Sequence, residues 1–389
     1  MLSPIKDFLR SPVYTQMILP AALLSGTIIG AGVFSLPYVF NRAGWAAGIF
    51  YLIAGAAVFY FVHVMYADII LRSGESFKFV GYARQYLGEL AFWTSILATV
   101  IGSLLTLTVY LVLANKFFEI IFPEAPMING SLSLFWLISS ITIFISVKRM
   151  AKLEFVITAG MAMIIFLIFI FGIFGNPERL AAMTNINWAW WFLPFGPVLF
   201  SMSGRTAVPA VIEYFEANRI PFDKFKRVVF WGTFAPALIY GLFVAGIIGS
   251  ASVVTEDSIA VFKLLPFLFP AVVGALGLLS LWSSYIVIGM SVDEILRMDL
   301  KIPKIISRLV VVAAPVIFIY AGFNDFIKVI TLAGGIFLAF EGIIVVMMWR
   351  QMEALKLPQF LFILKPAARW IPYLLLAVFG IGAIYTAAF

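Results

Sequence analysis

The chain has 389 residues, 63% of them hydrophobic and only 12% charged, with a mean hydropathy of +1.08. Soluble domains carry about 25% charged residues, so the composition excludes a soluble fold and reads as an integral membrane protein. The absence of cysteine excludes disulfides, thiolate metal sites and a cysteine nucleophile, and the net charge of +7 is spread over short loops, which argues against nucleic acid and for membrane orientation.

Crossing the hydrocarbon takes about 20 apolar residues per helix. On that basis eleven spans are expected, near 14–40, 45–70, 90–114, 131–147, 153–174, 192–215, 227–250, 262–292, 304–321, 324–348 and 371–388. The connections leave no room for a soluble domain, so residues 1–389 are expected to form one all-helical membrane domain. The first apolar run is too long for a cleavable signal. Of the 26 lysines and arginines, twenty fall on the side of the N-terminus, from Lys6 and Arg10 through Lys148, Arg149 and Lys152 to Lys365 and Arg369. Five fall on the other side: Arg42, Lys116, Arg179, Lys263 and Lys328. The positive-inside rule then makes the N-terminus cytoplasmic and puts the C-terminus across the cell membrane.

The first span carries SGTIIGAGVFSLP, Ser25 to Pro37, with Gly26, Gly30 and Gly32 at its middle and Pro20 before it. Glycine tolerates unusual backbone angles and proline removes a donor, so the helix is expected to break near its midpoint. Unpaired backbone at membrane depth is tolerated only against protein or a water-lined cavity, so the break is a site candidate. Between spans two and three, GESFKFVGYARQYLG reads as a short helix along the cytoplasmic interface, with Asp68 also interfacial. Trp188, Trp190 and Trp191 read as an aromatic belt at the outer interface.

Span six, FLPFGPVLFSMSGRTAVPAVIEYF, places Pro194, Pro197 and Pro209 around Ser201, Ser203 and Gly204, and predicts a second break. Two interrupted spans five apart point to an inverted-repeat transporter with its site between the breaks. The repeats are expected at 13–174 and 192–348, with 371–388 as an appended helix.

Span eight places Ser280, Ser283 and Ser284 at i, i+3 and i+4 on one helix face, as sodium ligands or as hydroxyls bonded to their own backbone. His63, the one histidine, reads either as hydrogen-bonded structure or as a titrating group. Arg205 and Glu341 lie at depth, where a charge must find a partner. Arg205 is expected to pair with Glu341 or Glu213, or to meet an anionic substrate group. Glu213 and Glu216 read as part of a cytoplasmic gate, and Glu341, if unpaired, as a proton carrier. Asp293, Glu294 and Asp299, near Arg297 and Lys301, make the nearest approach to an enzyme's acidic cluster and read better as a solvated loop.

SGTIIGAGVFSLPYVFNRAGW resembles the first-span motif of the amino acid/auxin permease family, a small residue followed by GxGxxxLP and a downstream glycine. PFGPVLFSMSGRTAVPAVIEYF is similar to that family's sixth span and GTFAPALIYGLFVAGIIG to its seventh. The likeness runs over most of residues 10–350. It implies the amino acid–polyamine–organocation superfamily, the leucine-transporter fold of five plus five inverted helices, and secondary transport of amino acids driven by sodium or protons. Carried onto this chain, Gly26 to Gly32, with Thr27, Ile28 and Ala31 between them, would be the unwound part of span one, its amides holding the substrate carboxylate. Carbonyls of Gly26 and Ile29 would hold sodium against the span-eight serines. Ser201 to Arg205 would be the unwound part of span six, facing the amino group and side chain. Some sodium-coupled members have asparagine in place of Gly26, so one ligand is missing here. Others place a lysine in span five where the sodium would sit, but Lys148 and Lys152 lie at that span's cytoplasmic start.

The expected function is therefore an ion-coupled amino acid transporter, sodium favoured over protons, with no cofactor, no catalytic constellation and no obligate protein partner. A non-transporting amino acid receptor on the same scaffold, as in some germinant receptors, is the alternative. Phe200 and Met202 are expected to line the site with apolar bulk and to favour neutral apolar or aromatic amino acids.

Overall fold

A computed structural model describes residues 11–74, 77–122, 130–144, 150–175, 178, 186–250, 253–264, 269–358, 360–361 and 369–388; among these it contains helices and turns and no strand. Lys6, Arg10, Lys148, Arg149, Arg179 and Lys365 lie outside the described residues. An all-helical solution follows from the solvent: in lipid, a helix satisfies its own backbone groups within one segment.

A π turn, Tyr14–Ile18, leads into α1 (Leu19–Ile28). A 3-10 turn at Ala31–Ser35 then opens α2 (Leu36–Ala43), and the two halves of this span meet at 53°. Next come α3 (Trp45–Ser73), the short α4 (Phe79–Leu87), and α5 (Glu89–Ile96) running through a π segment, Leu97–Ile101, into α6 (Gly102–Ile121). Then follow α7 (Gly130–Ile143) and α8 (Met150–Gly175). Span six is made of two short pieces, α9 (Phe195–Met202) and α10 (Val208–Ala217), joined by a 3-10 turn at Arg205–Ala207. After it come α11 (Phe225–Ser250), α12 (Phe269–Met298) and α13 (Lys304–Tyr320). The chain continues with α14 (Phe326–Leu332), joined by a π segment, Ala333–Leu338, to α15 (Ala339–Ala354), and with α16 (Ile371–Ala388).

Among the described residues six helices are long and apolar enough to cross a membrane, seven with the bent pair. Their outer faces are greasy: Ile53, Leu97, Leu238 and Ile381 are all exposed. Inside, small residues let helices touch, as they do wherever lipid provides no hydrophobic drive for association. Along the seam of α8 and α11 a Cβ on Gly172 would strike the Gly246 backbone.

The short helix expected between spans two and three is α4, with Phe79, Val80, Tyr82 and Ala83 buried on one face and Arg84 and Gln85 exposed on the other. Two surface expectations are corrected. Asp68 is fully buried, not interfacial. A buried carboxylate needs donors, and Asp68 has four: Arg72 Nη1 at 3.1 Å, Trp349 Nε1 at 3.0 Å and the amides of Phe360 at 3.2 Å and Leu361 at 3.1 Å. Finally, α12 runs on past residue 292, so Asp293 and Glu294 belong to a helix and not to a solvated loop. Asp293 accepts a bond from the Ser307 hydroxyl at 2.6 Å and pairs with Arg297 at 3.0 Å, while Glu294 pairs with Lys78 at 2.8 Å. Burial pushes the Asp299 carboxyl above the usual carboxylate range, with Lys78 acting in the opposite sense. Trp188 and Trp190 are exposed, and Trp191 stacks on Phe50 with ring centroids 5.5 Å apart.

Candidate functional site

Both expected interruptions are present, and each is narrower than expected. In the first, Gly26, Thr27 and Ile28 stay helical, and the last regular bond runs from the Ile29 amide to the Ser25 carbonyl at 2.8 Å. Only Ile29 (φ −73, ψ 90) and Gly30 (φ −141, ψ −153) are extended. In the second, Ser201 and Met202 remain in α9, and the break is Ser203 with Gly204. The prolines explain the displacement. Pro37 and Pro209 occupy the first turns of α2 and α10, where a missing amide is not needed, so they start the second half-helix and do not disrupt the first.

The two breaks lie against each other. A Cβ on Gly32 would come within 2.6 Å of Ser201 Cα, so only glycine allows this approach. Gly204 packs on Ile28 and Leu24 in the same way. The fully buried Tyr240 of α11 joins the two ends: its hydroxyl lies 2.6 Å from the Ile28 carbonyl and 3.1 Å from that of Ser201, and donates its one proton between them. Gly30 differs, since a Cβ there would meet nothing nearer than the Tyr110 hydroxyl at 3.8 Å and Ser284 Oγ at 3.9 Å.

This open side is a cavity of about 90 Å³. Of the residues singled out in the sequence, Thr27, Ile28, Gly30, Ala31, Gly32, Phe200, Ser203, Arg205, Ser284 and Glu341 line it. Gly26, Ile29, Ser201 and Gly204 stand behind that wall, in or beside the breaks. Met202, expected to line the site, is fully buried elsewhere. Of the three serines only Ser284 reaches the cavity; Ser280 and Ser283 are buried beside it, and Ser283 Oγ has no hydrogen-bond partner among the described residues. Missed by the sequence reading were Ser103, Thr106 and Tyr110 on α6, together with Ala98 and Leu338 from the two π segments. Ser103, Thr106 and Tyr110 stand at i, i+3 and i+7 on one helix face, which is the signal that was available.

Arg205 pairs with Glu341, not Glu213. Its Nε and Nη2 lie 2.9 and 2.8 Å from Glu341 Oε2, both side chains are 8% exposed, and the guanidinium stands 3.9 Å from the Phe79 ring centroid. Glu341 is therefore not the unpaired carrier considered above. Glu213 faces a second cavity, and His63 sits in the packed seam of α3 and α11, its Nδ1 3.2 Å from Thr233 Oγ1. Among the described residues no three histidine or acidic side chains converge as a metal site.

The cavity is closed differently at its two ends. Toward the tryptophan-bearing end, Phe34 meets Phe117, Phe243 and Phe262 edge-on with centroids 5.1 to 6.4 Å apart, all four buried. Toward the lysine- and arginine-rich end, Arg205, Thr206 and Val287 are shared with the second cavity, of about 360 Å³, which is also lined by Lys78, Glu213 and Glu294.

Comparison with known proteins locates this arrangement. A model of the family described as transmembrane amino acid transporter protein matches residues 16–249. The fold is similar to that of MhsT in complex with L-phenylalanine, with a TM-score of 0.69, 16% identity, and coverage of 96% of this chain and 99% of that one. It is also similar to a manganese transporter of Eremococcus coleocola, at a TM-score of 0.67, 11% identity, and coverage of 94% and 85%. A third likeness is to Mhp1, a nucleobase-cation-symport-1 family transporter, at 0.59, 13% identity, and coverage of 94% and 90%. These likenesses show the leucine-transporter fold. No curated protein matches the chain.

Proposed function

Given that the chain belongs to the transmembrane amino acid transporter family, we propose that it is an ion-coupled secondary transporter of amino acids that alternates access to the cavity between its two broken helices. The observation that carries this reading is the meeting of the breaks, Gly32 against Ser201 with Tyr240 between them, beside a cavity lined from both. Each break presents the carbonyl end of one half-helix and the amide end of the next. Amide ends attract a carboxylate and carbonyl ends an ammonium group, so a zwitterion is held by backbone with no covalent step. The family and the fold accordingly point away from an enzyme.

The finer architecture belongs to the same proposal: one membrane domain of eleven spans, repeats at 13–174 and 192–348 inverted about the midplane, an appended last helix, a cytoplasmic N-terminus and an outward C-terminus. Two features support the repeat. Each break is followed by a 3-10 turn, and each turn leads into a helix with proline in its first turn.

Sodium is the favoured coupling ion, held by carbonyls of Gly26 and Ile29 and hydroxyls of Ser280, Ser283 and Ser284. A Ser283 hydroxyl without a partner among the described residues and the position of Ser284 opposite Gly30 support it. For protons, His63 and Glu213 remain the groups to test, since Glu341 is engaged by Arg205. The substrate is a neutral amino acid, because the charges in the wall cancel. A cavity near 90 Å³ is smaller than the roughly 150 Å³ that accommodates benzene, so a small side chain fits as the walls stand and an aromatic one requires them to move.

Purified protein in liposomes tests the reading, with labelled amino acids offered under separately imposed sodium and proton gradients. Expected is uptake of neutral amino acids that follows the sodium gradient and is lost when Ser283 and Ser284 are both alanine. Exchange of internal for external label in counterflow is also expected. Binding without exchange identifies a receptor instead, and uptake that follows only the proton gradient removes the serine site.

A further inference from the structure

Arg205 stands where two chambers meet. It lines the central cavity of about 90 Å³ together with Glu341, and it lines the larger chamber of about 360 Å³ toward the lysine- and arginine-rich end together with Lys78, Phe79, Glu213 and Glu294. Among the described residues, the two chambers share Arg205, Thr206 and Val287 in their walls. Thr206 and Val287 are short and uncharged, so Arg205 is the longest side chain and the one charged group of the three.

That side chain is held from three sides. Two N–H groups donate to the one Glu341 oxygen at 2.8 and 2.9 Å, Phe79 of α4 stacks on the guanidinium at 3.9 Å, and Tyr66 of α3 lies at 5.5 Å. Toward the opposite end stands the phenylalanine cluster around Phe34, an apolar contact of four buried rings. Arg205 itself belongs to the 3-10 turn directly after the second break, the part of the span with the fewest regular backbone bonds to resist movement.

We propose that Arg205, latched by Glu341 and Phe79, is the septum that separates the substrate cavity from the chamber at the basic end, and that the latch must open for the cavity to discharge there. The proposal rests on the transporter reading for its purpose, but the septum itself is a geometric claim. A substrate leaving the cavity displaces the guanidinium from two N–H bonds to one carboxylate oxygen. Lysine's single ammonium does not reproduce that fixed pair of donors.

The chain contains no cysteine, which permits a direct test in the full-length protein. A Thr106→Cys substitution places one thiol in the central cavity. Its rate of reaction with a membrane-impermeant methanethiosulfonate is measured in liposomes, with a separate Glu216→Cys sample reporting which face the reagent reaches. Glu341→Gln alone leaves a buried cation unpaired and can fail to fold. The decisive variant is therefore Arg205→Met with Glu341→Met, since apolar side chains of similar volume often replace a buried ion pair without loss of stability. Expected is slow labelling from the basic end in the parent, at least tenfold faster labelling in the double methionine variant, and an intermediate rate in Arg205→Lys. Labelling from the other end stays slow throughout. Equal rates in parent and double variant overturn the septum, as does fast labelling of the parent from the basic end. Transport is scored independently: a parent that takes up amino acids while labelling ignores the pair keeps the transporter and loses the septum. A parent that takes up nothing while labelling follows the predicted order keeps the septum and loses the transporter.

Discussion

The two broken spans use one backbone device for opposite chemistries. After the first break the 3-10 turn Ala31–Ser35 carries Phe34 into a cluster of four phenylalanines. After the second, the turn Arg205–Ala207 carries Arg205 into an ion pair stacked on Phe79. Apolar packing is non-directional and survives changes of shape that conserve volume. A two-point bond to a carboxylate is directional, and an unpaired remnant at depth is expensive. The first closure should therefore be forgiving and the second all-or-none.

The largest expected effect comes from breaking the second closure on one side only. Glu341→Gln leaves the Arg205 guanidinium buried without its countercharge, which costs about 3 to 5 kcal/mol, and denaturant or thermal unfolding in detergent checks it. Stability changed by less than about 1 kcal/mol would place the pair in water and remove the contrast. Next comes the contact between the breaks. Gly32→Ala forces a methyl against Ser201 Cα and is expected to cost about 1 to 3 kcal/mol as overpacking and to abolish counterflow. Gly30→Ala, two residues away, meets only ordinary van der Waals contacts at 3.8 Å or more and should change stability by no more than about 0.5 kcal/mol. If the two alanines behave alike, the breaks do not meet as described. The smallest effect is expected at the first closure. Phe34→Leu stays apolar and removes only part of the ring's volume, should cost about 1 to 2 kcal/mol, and should leave uptake within a few-fold of the parent, whereas Arg205→Lys at the second closure should not.

Much of the site was legible because its signals are local. Glycine and proline act on the residue that carries them, so the two interruptions could be placed from Gly30, Pro37, Gly204 and Pro209 without knowledge of any neighbour. Their width was overestimated, because whether Gly26 or Ser201 stays helical depends on hydrogen bonds to the preceding turn and not on residue type. The deep charges were also legible as a pairing requirement, since hydrocarbon tolerates no lone Arg205.

The choice of Glu341 over Glu213 was not legible, because it depends on which helix crosses beside the second break, and α15 is more than a hundred residues away in sequence. The same holds for Tyr240, which donates to carbonyls from two different spans, and for Asp68, three of whose four donors come from α15 and the segment after it. Hydropathy and backbone chemistry along the chain thus determined a membrane helix bundle with two interrupted spans and a basic end. Which groups face one another across those interruptions was decided only by packing, because hydrogen bonds and ion pairs act over a few ångströms of space and are indifferent to distance along the chain.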